Sequence, residues 1–210
     1  MVENVFENLR WLGHDAFLLR AGDKNIYFDP FKLAPGLPPA DIICISHAHY
    51  DHCSPADVRM IQQPSTLIVA EAKAAAQLKG KIMILAPGER REVEGITIET
   101  VPAYNINKLF HPQSNRWLGF ILTVDGVRVY HAGDTDYIPE MNNIRADIAL
   151  LPVSGTYVMT AEEAALAAIA VGARIAVPMH YGAVVGTTND ADRFAATLAG
   201  RVRVEILGRG

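Results

Sequence analysis

The segment His47-Ala48-His49-Tyr50-Asp51-His52 carries three imidazoles and one carboxylate within six residues. Imidazole nitrogen and carboxylate oxygen are donors suited to zinc, at about 2.0–2.2 Å. His47 and His49, two apart, point the same way on extended backbone. A turn after them can swing Asp51 and His52 toward a second ion. A helix-borne histidine pair would need a spacing of four, so this is a different arrangement. A polar loop whose histidines merely cap backbone is the weaker account, because groups so close would suppress one another's charge without a cation.

Donors of this kind need a rigid support. Asp41–Ser46 is a continuous apolar run, as expected of a strand covered on both faces, and it leads straight into His47. Ser54-Pro55-Ala56-Asp57 then opens a helix, with serine as cap and proline at the first helical position. Its amino end would place a positive dipole beside the site. Leu9–Leu12, Ala16–Arg20 and Asn25–Asp29 read as strands separated by turns. Strands Thr66–Ala70 and Lys81–Leu85 flank a helix at Glu71–Leu78. Ile96–Pro102, Leu118–Asp125 and Val127–Ala132 are further strands, the last two joined by the hairpin turn Asp125-Gly126. Asp147–Leu151 and Arg174–Pro178 enclose a helix opened by the capping box Thr160-Ala161-Glu162-Glu163. A helix at Asn189–Leu198 and a strand at Val202–Leu207 end the pattern. Two rounds of strands followed by strand–helix–strand predict two sheets with helices outside.

The chain resembles the metallo-β-lactamase-fold hydrolases, on the motif H-x-H-x-D-H after an apolar strand. Trp11-Leu12-Gly13-His14, Phe28-Asp29-Pro30 and Tyr130-His131-Ala132-Gly133-Asp134-Thr135 extend the likeness to the small stand-alone branch that includes ascorbate-6-phosphate lactonase-like proteins. The resemblance implies an α/β fold, an αββα sandwich, over residues 1–210 as one domain. It also implies two divalent ions, zinc or else manganese or iron. His47 and His49 match ligands of the first ion, and Asp51, His52 and His180 those of the second. Asp134 matches the carboxylate that bridges both. The histidine usual before the Gly-Asp hairpin has no plain match; His111 is the expected ligand, with Asn105 or water as the alternative. Asp29 resembles a carboxylate that orients a ligand histidine. His14 either lines the site or supports Asp29. His131 reads as a core histidine and Cys53 as a small buried residue.

The resemblance further implies a hydroxide supplied at neutral pH, attacking the ester, lactone or amide carbonyl of a small molecule. Asp51 would also pass a proton to the leaving group. A small phosphodiester substrate and a non-catalytic metal-binding protein are the alternatives. A di-iron redox centre is disfavoured, because such relatives prefer glutamate in place of His49. Tyr104–Arg116 is long enough to be a binding loop. Tyr104, Asn105 and Lys108 in it, with Arg116, Tyr157 and Tyr181, are candidates to contact substrate.

The composition excludes other classes. Half of the 210 residues are hydrophobic and one fifth charged, with a net charge of -4, which disfavours a general nucleic-acid binder. Two cysteines make neither a disulfide framework nor a four-cysteine zinc site. The acidic first seven residues lack the apolar run of a secretory signal. The longest apolar stretch, Ala164 to Val171, is far short of the roughly 20 residues of a membrane span. A cytoplasmic protein without membrane or nucleic-acid partners is expected.

Overall fold

The computed structural model describes residues 1–210. The first half of the chain builds one sheet in sequence order: β1 (Leu9–Gly13), β2 (Ala16–Ala21), β3 (Lys24–Phe28), β4 (Ile42–Ile45), β5 (Leu67–Ala70) and β6 (Lys81–Ile84). β1 to β3 form an antiparallel meander; β4, β5 and β6 continue it in parallel. The second half repeats the plan with β7 (Arg90–Val93), β8 (Ile96–Ala103), β9 (Trp117–Val124), β10 (Val127–His131), β11 (Ile148–Pro152), β12 (Ile175–Met179) and β13 (Arg203–Val204). Here β7 to β10 are antiparallel and β11 to β13 parallel.

Alternation along the strands makes the layers. Phe17, Ile26, Phe28, Ile42, Cys44 and Val69 of the first sheet join Leu118, Phe120, Leu122, Val129 and Leu150 of the second in one apolar cluster. The intervening residues Ile43, Ile45, Ile68 and Ala70 pack outward with Val58 and Ile61 of α2 (Pro55–Ile61) and Ala74 and Ala75 of α3 (Ala72–Ala75). On the other side, α4 (Ala161–Ala170) and α5 (Thr188–Leu198) bury Ala164, Ala168, Ala191 and Phe194 against the second sheet. The result is the expected αββα sandwich. No helix is long and apolar enough to cross a membrane.

Four elements differ from expectation. A short helix α1 (Val2–Glu7) burying Val2 and Val5 was not anticipated. Neither was β7, whose Arg-Arg-Glu-Val shows no apolar alternation; it is an edge strand held by pairing with β8. The helix expected over Glu71–Leu78 is the single turn Ala72–Ala75. The last strand shrinks to Arg203–Val204, which pairs only two residues of β12.

Parallel strands carry ligands beyond their carboxyl ends, and here both sheets turn those ends to one place. Asp29 follows β3, Ser46 and His47 follow β4, Asp134 follows β10, and His180 follows β12. Backbone bonds lace the two sheets there: Leu118 N–H donates to Ser46 O at 3.0 Å and His180 N–H to His14 O at 3.2 Å. Gly133 makes the approach possible. Its φ is +63°, and a Cβ there would lie 2.8 Å from Leu118 O and 3.1 Å from Ser46 Cβ. A larger residue would push Asp134 away from the first sheet.

Candidate metal centre

Asp134 is buried at the middle of the cluster. Its Oδ2 lies 3.1 Å from His111 Nε2, 3.2 Å from His180 Nε2 and 3.9 Å from His47 Nε2. Its Oδ1 lies 3.3 Å from His52 Nε2. The donor atoms of His47, His49 and His111 lie within 4.8 Å of one another, as do those of His14, Asp51, His52 and His180. His49 turns Nδ1 toward its group, 3.0 Å from His47 Nε2. The two groups flank Asp134. The structure thus brings together all seven residues expected as ligands, with His111, not Asn105, facing the centre.

Buried polar atoms are almost always hydrogen-bonded, yet here Nε2 of His52, His111 and His180, though 3.1–3.3 Å from Asp134, are not aligned for a hydrogen bond to it, and Asp134 Oδ1 has no hydrogen-bond partner. The opposite ring nitrogens are all held. His52 Nδ1–H donates to Asp29 Oδ2 at 2.8 Å and His47 Nδ1–H to Ser46 Oγ at 2.9 Å, while His180 Nδ1 and Ser154 Oγ share a hydrogen bond of 2.9 Å. His111 Nδ1–H is shared between Asn105 Oδ1 at 3.0 Å and Tyr157 O at 3.2 Å. With Nδ1 engaged, each of these four imidazoles turns Nε2 to the centre, where a bound cation would take its lone pair, the pattern by which surrounding groups tune a metal site. The donor set fits divalent ions.

Asp29 has the widest reach among the supports. Besides His52, its carboxylate accepts from Ser46 N–H at 2.7 Å and Ser46 Oγ–H at 2.5 Å. One carboxylate therefore orients His52 directly and His47 through Ser46. Asp29 has φ +39°, His14 φ +53° and His180 φ +61°; such conformations in non-glycine residues cluster at functional sites.

Charge follows the same geometry. Burial opposes ionisation of Asp134, but His180 and His52 overcome it and hold the carboxyl well below its usual range. Burial likewise opposes charge on His52, while Asp134 and Asp29 raise its pKa well above the ordinary value. His180 is raised, against burial, chiefly by Asp134. His47 is pulled far down by burial and by His52. Cations bound here would take the place of the imidazolium protons.

Asp51 accepts from His14 Nε2–H at 3.1 Å. Burial lowers His14 to about 4, so the imidazole is neutral at physiological pH. Although burial raises the Asp51 carboxyl, the His14 hydrogen bond and His52 bring it down to about 2. Asp51 is thus an anion at neutral pH with no proton of its own to pass to a leaving group. His14 supports Asp51 rather than Asp29.

A cavity of about 280 Å³ opens over Asp134, His49, Asp51 and His111, and its remaining lining is Tyr50, Phe110, Tyr157 and Val184. Of the expected substrate contacts, Tyr104, Asn105, Lys108 and Tyr181 are absent from it. The Tyr104 hydroxyl donates to Glu140 at 3.0 Å. Asn105 spends its side chain on His111, Asp136 and Tyr157 O, which makes it a support of His111. Lys108 is paired with buried Asp136 at 2.5 Å. Tyr181 is buried and stacks on Trp11 at 4.9 Å. Arg116 lines a separate depression with Glu71 and Asn115. Tyr157 does line the cavity. His131 is a core histidine, stacked 4.9 Å from Phe28 and bonded to Asp15 O at 2.8 Å. Cys53 is a buried free thiol.

Sequence reasoning missed Ser46, Ser154 and Asp15. Serines next to a strand end carry no periodic signal, and Asp15 reads as a turn residue after Gly13-His14. Asp15 is fully buried, and neither carboxyl oxygen has a hydrogen-bond partner. Burial pushes its pKa from 3.8 up to about 8, with His180 and His52 opposing. The native state therefore favours the protonated acid. Its contribution to stability is complete below the unfolded pKa near 4 and is lost as pH rises through about 8. In metal-free protein, Asp15→Asn is expected to remove that decline. Denaturation midpoints should show the natural chain losing ground to the variant from pH 4 to 8; parallel pH profiles would contradict this.

Residues 8–180 match the family described as the β-lactamase superfamily domain. A UPF0173 metal-dependent hydrolase of Methanoculleus marisnigri is 37% identical over 216 residues, spanning 96% of this chain and 94% of that protein. Among solved structures, a candidate metal-dependent hydrolase of Parabacteroides distasonis is 35% identical, with a TM-score of 0.86, covering 95% of this chain and 91% of that one. Igni18, a metallo hydrolase of Ignicoccus hospitalis, is 25% identical with a TM-score of 0.77, covering 96% and 95%. The chain belongs to the metallo-β-lactamase superfamily and, within it, to the UPF0173 family.

Proposed function

We propose that this protein is a metal-dependent hydrolase that holds two divalent ions, zinc by preference, and cleaves an ester, lactone or amide bond of a small molecule. The observation that carries the reading is the set of buried, unpartnered Nε2 atoms of His52, His111 and His180 around the unpartnered Oδ1 of Asp134. His47, His49 and His111 would hold one ion, Asp51, His52 and His180 the other, and Asp134 would lie between them. Ions held there supply a nucleophile from water at neutral pH and polarise the attacked oxygen. The protein's own work is positional. Asp29, Ser46, Ser154 and Asn105 fix the imidazoles. Trp117, 4.6 Å from the His47 ring and 5.3 Å from that of His111, is a buried wall that packs against one side of the first group. Asp51, ionised at neutral pH, is suited to hold an ion or receive a proton.

Carbonyl substrates suit the cavity better than phosphodiesters, since no lysine or arginine lines it. The test is hydrolysis of ester, lactone, thioester and phosphodiester compounds with and without chelator. Carbonyl hydrolysis lost on chelation and restored by zinc is expected. Cleavage of phosphodiesters alone would overturn the chemistry, and activity untouched by chelation would overturn the metal dependence.

A further inference from the structure

The cavity divides sharply into two parts. Every polar side chain at its base, His49, Asp51, His111 and Asp134, belongs to the candidate metal centre. The walls above are three aromatic rings and Val184. Phe110 meets Tyr157 edge to face at 4.6 Å and 80°, a favoured aromatic geometry. Phe110 is 51% exposed and Tyr50 67% exposed, although both are large apolar groups at the mouth. Such exposure is what a binding surface for apolar material requires. Lys108, the cation nearest in sequence to this wall, is held by Asp136 and so is not available to an anion.

We infer that the part of the substrate remote from the reacting bond is uncharged and aromatic or apolar, and that Phe110 and Tyr157 form the wall that selects it. This rests on the hydrolase reading for the reacting bond but not for the ligand class. The volume of about 280 Å³ sits at the lower edge of the roughly 300–1,000 Å³ of ligand pockets, so the group is one ring or a short acyl chain. A distal carboxylate would lose hydration against these walls and meet no cation in return, only the hydroxyls of Tyr50 and Tyr157. Asp51 and Asp134 below it add repulsion unless the ions offset them. A distal ammonium would likewise lose water, with only aromatic faces in exchange.

Tyr157 also ties selection to the centre. Its carbonyl accepts from His111 Nδ1–H while its ring lines the wall, and Phe110 directly precedes His111. A group seated against these rings is thus placed beside His111 by backbone that also orients that imidazole. No residue further away is needed to align it.

The test uses zinc-loaded protein and two matched sets of compounds. Phenyl acetates bearing para-ethyl, para-carboxylate or para-trimethylammonium groups report kcat/KM. The corresponding anisoles, which cannot be hydrolysed, report binding by calorimetry or ligand-observed NMR. The ethyl compound should exceed both charged ones about tenfold or more in each readout. Phe110→Ala should shrink that preference at least severalfold, while Val184→Lys should improve the carboxylate relative to the ethyl compound. A carboxylate bound as well as or better than the ethyl compound would overturn the inference, and so would a preference unmoved in Phe110→Ala. Absence of chelator-sensitive cleavage of any ester, with the anisole preference intact, would instead remove the hydrolase reading and leave the ligand class standing.

Discussion

Replacing Asp134 with alanine is expected to abolish hydrolysis, lowering kcat/KM by about 10³-fold or more, the scale on which charge stabilisation and metal-supplied nucleophiles act. Oδ2 is within 3.2 Å of both His111 and His180, and Oδ1 is 3.3 Å from His52. One carboxylate therefore faces both donor groups, and its negative charge would offset cations bound there. Without it, two cations would face each other across a buried space lined by imidazoles. Metal content should fall for both ions, not one. His180 and His52 should also lose the carboxylate that holds their pKa values up, which NMR titration of the metal-free variant would read. Retention of both ions at full affinity would contradict the assignment.

The second large effect is expected away from the donors. Asparagine at position 29 keeps the shape of Asp29 and tolerates its φ of +39° better than other residues would. It cannot keep the hydrogen bonds. The aspartate accepts from Ser46 N–H, Ser46 Oγ–H and His52 Nδ1–H. An amide would set its own N–H₂ against one or more of these donors. His52 would lose its preferred tautomer, and Ser46 would lose the partner that leaves its oxygen free to accept from His47. Metal affinity should drop by about 10–100-fold, the usual cost of removing an orienting group, and both ions should be affected because His47 and His52 serve different groups. Ser154→Ala is the control: the Ser154 hydroxyl bonds only to His180, so its effect should be confined to one ion. Chelator competition on the two variants reads the difference; equal losses confined to one ion in both would contradict the relay through Ser46.

Continuous apolar, β-branched runs make the parallel strands β4, β5, β11 and β12 readable, since each is buried on both faces. The strand ending at Ser46 and the adjacent His47-to-His52 segment were legible together, because the donors are contiguous. Asp134 and His180 were legible only through the resemblance, as their motifs are short and far from His47 in sequence. What could not be read was the direction of side chains in irregular backbone. Asn105 and Lys108 sit in the loop that leads to His111, and both turn inward: Asn105 to His111, Lys108 to Asp136. Tyr181, next to His180, turns away to stack on Trp11. Asp15 and Ser154 stand at turns, where polar residues are ordinary, and their importance follows only from the burial that the two packed sheets impose. The edge strand β7 left no trace because only Val93 of its four residues packs against the core, and pairing with β8 does the rest.

The central claim is that the His/Asp cluster around Asp134 holds two divalent ions on which hydrolysis depends. Elemental analysis of purified protein, metal-free and zinc-reconstituted, paired with ester hydrolysis at each stage of reconstitution, tests it most directly. Two ions per chain are predicted, with activity rising as they bind and both lost in Asp134→Ala. Reconstitution that saturates with no ion held by the cluster, or full activity in the metal-free protein, would contradict it.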